Sequence, residues 1–187
     1  LDWQEGIMTR LIRFKEWLLH PPIDGPAATL AVRLMTGGVF VAEGIMKFIF
    51  PSLGVMRFTK LGFPEPALTA HFVGSLEIVG GALLLAGLLT RAVAMVFIVE
   101  MLVAIASTKI SLFLGTSPLP LPPSPPKIGF WAVAHDIRSD YAQIMTSLFL
   151  VIAGPGVWSL DAATARSRHR PLLPTLGSHA AASVPKH

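Results

Sequence analysis

Apolar residues occupy this chain in long blocks separated by short connections rich in proline, glycine and charge. Before the first block, Trp3, Ile7, Leu11, Phe14 and Leu18 recur at helical spacing while Arg10, Arg13 and Lys15 lie largely on other faces. That pattern predicts an amphipathic helix within residues 1–22, stopped by His20-Pro21-Pro22. Asp24 and Pro26 then open an apolar block over 27–50, which Pro51 ends. A loop with Arg57, Lys60 and the turn-forming Gly62-Phe63-Pro64-Glu65-Pro66 leads to a second block over 66–89. Leu89-Thr90-Arg91 connects it so tightly to a third block, 92–114, that the two must form an antiparallel hairpin. Six prolines between Thr116 and Lys127 exclude helix and central strand there and predict stiff polyproline II. The last apolar run, Tyr141 to Ala153, is only about 20 Å long at helical rise. It needs the more polar residues before it to complete a crossing, giving a fourth block over 132–153. Gly154-Pro155-Gly156 closes it, Trp158 is placed to anchor at an interface, and 161–187 reads as a basic, disordered tail.

Each block approaches the roughly 20 apolar residues needed to cross a bilayer core of about 30 Å. Composition decides between a membrane and a soluble core: 52% of the 187 residues are hydrophobic and 14% charged, and the mean hydropathy is +0.63. Water is the wrong solvent for such a chain, so the expected fold is all-α: an integral membrane four-helix bundle over 23–160 with an amino-terminal amphipathic interfacial helix. A soluble helix packed on a partner would show the same amphipathicity. Residues 1–20 lack the continuous apolar core of a cleavable signal, so the first span is expected to serve as its own insertion signal.

The formal charge of +4 does not point to nucleic acid, because the basic residues cluster beside apolar spans without interleaved aromatics. They report topology instead. Four crossings put both termini on one side, with Arg10, Arg13, Lys15, Arg91, Arg166, Arg168, Arg170 and Lys186; the other side holds Arg57, Lys60, Lys127 and Arg138. The excess of positive charge makes the termini cytoplasmic. Absence of cysteine removes disulfides, thiol catalysis, cysteine-ligated clusters and covalent c-type haem from this chain.

Ionisable residues at bilayer depth are costly, so their positions carry the most information. Glu77 lies 13 residues before Thr90 and Glu100 lies 10 after it, which places both about 15–20 Å from the terminal side. Arg33, slightly shallower, is long enough to reach them, and a buried Arg33–Glu77–Glu100 group would neutralise all three. The alternative for this group is an inter-helix network that only fixes packing. Gly74 and Gly81 flank Glu77 at i−3 and i+4, a strip that admits a neighbouring helix. A second group gathers toward the far side. Glu43 and Lys47 are spaced i,i+4 for a local ion pair, His71 enters from the second span, and His135, Asp136, Arg138 and Asp140 come from the start of the fourth. Asp136 and Asp140 also fit as ordinary N-terminal helix acids. Lys109 is expected to snorkel to the far interface. His71 and His135 lack the context of a haem site, so haem is disfavoured, and no metal site is expected.

Several stretches together resemble the DoxX family of small four-helix membrane proteins. They are Arg33-Leu34 through Gly38, Phe40 and Glu43-Gly44 to Lys47; Phe58 through Gly62-Phe63-Pro64; Phe72-Val73-Gly74 with Glu77, Gly80-Gly81 and Gly87-Leu88 to Thr90-Arg91; Met101 to Ala104; and Gly129-Phe130, His135 and Gly154-Pro155-Gly156. The resemblance covers about residues 28–161. It implies a cytoplasmic (inner) membrane protein of bacteria or archaea associated with quinone-linked redox systems, among them a subunit of thiosulfate:quinone oxidoreductase. The amphipathic helix, proline-rich loop and basic tail depart from the family pattern and look like docking surfaces for a larger complex.

The function expected from both lines is an accessory or quinone-contacting subunit of a membrane oxidoreductase complex, with lipid and other subunits as partners. In it Glu77 and Glu100 would share a proton as a relay tuned by Arg33. Glu43, Lys47, His71, His135, Asp136, Arg138 and Asp140 would handle protons or a quinone head group at the far interface. Two rivals stand beside it: a purely structural assembly subunit, and a small proton or solute conduit. The conduit lacks the inverted repeat and broken helix pair usual in transporters.

Overall fold

The computed structural model describes residues 2–19 and 22–168, and every described element is helical. In chain order these are α1 (Asp2–Leu19), α2 (Thr29–Ile49), α3 (Val55–Lys60), α4 (Pro66–Ala86), α5 (Thr90–Leu114), α6 (Phe130–Asp136), α7 (Arg138–Ala153) and α8 (Leu160–Arg168). Three of them, α2, α4 and α5, are long and apolar enough to cross a membrane. Their outward side chains are themselves apolar, including Leu34, Phe48, Phe72, Val79, Val99 and Leu102. A surface of that kind is at home in hydrocarbon and costly in water.

Local chemistry sets the helix ends. Pro66 starts α4 at a position where its missing N–H costs nothing. Both α4 and α5 end in a left-handed glycine, Gly87 and Gly115, with the paired reverse hydrogen bonds that satisfy their last carbonyls. The turn between α4 and α5 is thus only three residues, and the hairpin expected from Leu89-Thr90-Arg91 is present.

Helices α2 and α4 pack closest. A methyl added to Gly37 would lie 2.7 Å from the Gly81 carbonyl oxygen, and one added to Gly44 would lie 2.6 Å from that of Gly74. Glycines seven apart on each helix therefore bring the two backbones together, and the strip beside Glu77 is the surface on which α2 lies. The second pair is α5 with α7, which run antiparallel. Arg91, at the start of α5, bonds Val151 and Ile152 near the end of α7. Lys109, near the end of α5, meets Asp136 at the end of α6 and Asp140 at the start of α7. Phe40 of α2 stacks on Phe97 of α5, 3.6 Å between ring centroids, and with Leu84, Ala94 and Leu150 closes a dry core between the pairs.

Three expectations about element boundaries change. The fourth block is not one helix: α6 and α7 are separated at Ile137, although its N–H still reaches Val133 and its carbonyl still receives Tyr141. The loop after α2 contains the one-and-a-half-turn helix α3. The start of the expected disordered tail is instead α8, capped by the Ser159 hydroxyl on the Ala162 N–H and tied by Asp161 N–H to the Gly87 carbonyl. Composition is polar there, but packing on the α4–α5 turn supplies what the local sequence lacks. Residues 169–187, the rest of that tail, lie outside the described residues. Helix α1 leaves Trp3, Met8, Leu11 and Phe14 exposed. It is tied to the bundle through its Trp17 carbonyl, which accepts from Arg91, and through the Trp17 ring, 4.5 Å from the Arg91 guanidinium carbon.

Candidate functional site

The close contact of α2 and α4 determines the first half of the site. Gly44 backs onto Gly74 and the Cβ of Glu77, which turns the next inward residue of α2, Lys47, onto that carboxylate. The Lys47 Nζ donates to both Glu77 oxygens at 2.7 and 2.6 Å. Glu100 comes across from α5, its carboxyl within hydrogen-bonding reach of Glu77, and its Oε2 is buried with no partner. One ammonium thus faces two carboxyls in contact, a cluster that is neutral only when a proton lies between the acids.

The second half lies toward the end of the bundle away from the termini. Lys109 Nζ stands 2.6 Å from Asp136 Oδ2 and 3.3 Å from Asp140 Oδ2. Between the halves lies a cavity of about 830 Å3, lined by Glu43, Lys47, Glu77, Glu100, Lys109, Asp136, Asp140 and Gln143, with Arg57 from α3. Most of the remaining wall is apolar, including Phe40, Phe58, Phe63, Phe72, Leu76, Met101 and Val103. Its size and mixture of apolar wall with a few polar groups suit a small amphipathic ligand.

Arg33 is not in this cluster. Its guanidinium turns to the terminal end, where Nε and Nη2 donate to Leu84 and Leu85 at the end of α4, and Nη1 donates to Pro155 and Trp158. The last carbonyls of a helix have no N–H above them, and a guanidinium carries five donors in a fork suited to several at once. Arg33 sits in the first two turns of α2, nearer those carbonyls than the carboxyls it was expected to neutralise. Gly87 has φ of 70° and must lack a Cβ, which would fall 2.7 Å from the Arg33 guanidinium. Arg91 repeats the arrangement, bonding Val151, Ile152 and Trp17 carbonyls.

The i,i+4 pair of Glu43 and Lys47 is likewise replaced. Lys47 serves Glu77, which is fully buried, while Glu43 is exposed and lines the cavity without an ion pair of its own. A buried carboxylate loses more from lacking a counter-ion than an exposed one, so the inter-helix pair prevails. His71 stacks on Phe48 at the outside, and His135 bonds Arg138; none of His71, His135 and Arg138 lines the cavity. Lys109 reaches the far end, where its partners are the two aspartates. Sequence reasoning missed Gln143 and Arg57. Gln143 was findable as the one amide in the apolar run after Tyr141.

Outside the spans, the Asp161 carboxyl lies near the N–H groups of Thr90 and Leu89 at the start of α5 and near the Arg33 guanidinium. Burial pushes its carboxyl above the ordinary aspartate range, and the two N–H groups and the Arg33 charge partly offset the shift.

Fold and site define a helical membrane protein with a partly open cavity lined by inter-helix ion pairs. The DoxX family model matches residues 28–110. The chain is 40% identical over 150 residues to "Uncharacterized membrane protein Rv3486" of Mycobacterium tuberculosis, covering 77% of this chain and 84% of that protein. It is 27% identical over 134 residues to "Putative oxidoreductase CatD" of Bacillus subtilis, covering 71% and 84%. The chain belongs to the DoxX family. No solved structure matches it.

Proposed function

We propose that the protein is a component of a quinone-linked oxidoreductase assembly in the cytoplasmic membrane, crossing it four times with both termini cytoplasmic. The fourth crossing would be α6 with α7, about 36 Å long at helical rise against a core of about 30 Å. Helix α1 would lie in the interface with its apolar side chains in lipid. The reading draws on the family resemblance and on the printed name of the Bacillus subtilis relative.

One observation carries it: two facing carboxyls and a lysine stand in the wall of a cavity whose remaining lining is largely apolar on one side and polar toward its mouth. A lipid-soluble quinone fits the residues present, because the apolar wall would take its ring and tail while Lys47, Glu77, Glu100 and Gln143 offer donors and acceptors to its oxygens. When bound, the quinone supplies two-electron redox chemistry coupled to two protons, and the electrons pass to or from a partner subunit. This chain's residues then have defined tasks. Lys47 holds Glu77 in place across α2 and α4, and the Glu77–Glu100 pair holds a proton and yields or takes it at the cavity wall. Glu43, Asp136 and Asp140 set the potential there, and Arg33 acts on the fold rather than on the carboxyls.

The test is quinone-coupled turnover of the assembly carrying Glu77→Gln or Glu100→Gln. Turnover should fall by about tenfold or more while the subunit still copurifies with its partners. Unchanged turnover would favour the purely structural subunit and remove the relay.

A further inference from the structure

The polar groups of the cavity are graded by depth. Asp136, Asp140 and Gln143 follow one another on the same stripe of α6 and α7, and the stripe leads inward. Exposure falls from 46% for the Asp136 side chain to 19% for Asp140, then 6% at Gln143 and 3% for the Glu77 side chain. Along this line Gln143 Oε1 and Glu100 Oε2 are buried with no partner, and Asp140 Oδ2 stands near Lys109 but outside hydrogen-bonding geometry. Unpartnered buried oxygens cost about 1–3 kcal/mol each unless water serves them. The cavity that joins them has ample room for water.

The other direction is closed. Phe40, Leu84, Ala94, Phe97 and Leu150 are fully buried, and each lies on the terminal side of the charged or amide residue of its own helix. Phe40 is three residues before Glu43, Leu84 seven after Glu77, Phe97 three before Glu100, and Leu150 seven after Gln143. Beyond this plug stand Arg33 and Arg91, fixed cations whose donors are committed to carbonyls. Fixed guanidinium charge raises the barrier to a proton. The hydroxyls of Thr29, Thr36, Thr90 and Ser147 and Asp161 Oδ2 lie on that side without partners, but none of these residues lines the cavity.

We infer that the Glu77–Glu100 pair exchanges protons with the end of the bundle opposite the termini, through water held along Gln143, Asp140 and Asp136, and is closed to the terminal end. The groups facing the pair are Lys47 and Glu43 from α2, Lys109 from α5, Asp136 and Asp140 from α6 and α7, and Arg57 from α3 at the mouth. Gln143 is a positioning residue that holds water between Asp140 and Glu100. This route shares its carboxyls with the proposed function, yet its test uses neither quinone nor partner, so either idea can fail alone.

The test uses the full chain reconstituted in one orientation in sealed vesicles. A lipid-soluble carbodiimide, which adds only to protonated carboxyls, is supplied while the pH on each side is varied separately, and adducts on Glu77 and Glu100 are read by mass spectrometry. Labelling should follow the pH at the end opposite the termini, by up to about tenfold per unit, and ignore the terminal side. Labelling that follows the terminal side, both sides equally, or neither overturns the inference. In a second measurement, the infrared carboxyl signal is timed after a pH jump at the open end. Gln143→Leu should slow that relaxation severalfold and Gln143→Glu should restore it; equal rates in all three proteins would count against the water path.

Discussion

The two ends of this bundle both bury charge, and they do it in opposite ways. At the terminal end Arg33 and Arg91 donate to backbone carbonyls near the ends of α1, α4 and α7, and Asp161 adds a charge attraction to Arg33 without a direct ion pair. At the other end lysines meet carboxyls, and Glu100 Oε2 and Gln143 Oε1 are left without protein partners. Satisfied donors make a rigid, closed structure. Unsatisfied acceptors beside a cavity leave room for water, protons or a ligand, which is why the first end reads as scaffold and the second as site.

Three substitutions sharpen this contrast. The largest effect is expected for Arg33→Met, which strips four carbonyls of their donor inside the protein. Stability should fall by about 3–5 kcal/mol, read as a lower thermal midpoint in detergent. A near-neutral result would mean that the terminal end is not the scaffold. Glu100→Gln should change the same midpoint by less than about 1 kcal/mol, because the residue has no cation to itself and stands against another carboxyl. A loss as large as that for Arg33 would erase the distinction between the ends.

The smallest effect concerns Asp161. Its carboxyl binds a proton more tightly in the folded protein than in the unfolded chain, since burial outweighs the help from Thr90, Leu89 and Arg33. Its contribution is therefore fully present below the ordinary aspartate value and declines as pH rises through the folded one. Stability of the native protein should drop slightly over that window, and Asp161→Asn should flatten the profile. An identical slope in both proteins would remove Asp161 as its source.

Much of the architecture was legible because it is local. Runs of apolar residues, Pro66, Gly87 and the three-residue turn before Thr90 act through neighbours in sequence, so the three long apolar helices and the hairpin could be read directly. Glu77 and Glu100 meet for the same reason: two helices sharing one turn keep a common depth scale. The site's pairings were not local. Lys47 has an acid one turn away at Glu43 and takes Glu77 instead, because Gly44 and Gly74 press α2 onto α4. Arg33 had two carboxyls within plausible reach and took four carbonyls at the terminal end, of which Leu84 also accepts from the Gly87 N–H.

The chain by itself therefore determined that the protein is helical, that its long segments are apolar enough to face lipid, and that Glu77 and Glu100 lie at a common level, since hydrophobicity and helical rise belong to each residue alone. Only the tertiary structure decided which charge answers which and where space remains between them. Those outcomes depend on the azimuth of each helix and on how closely backbones approach, and many neighbours set both together.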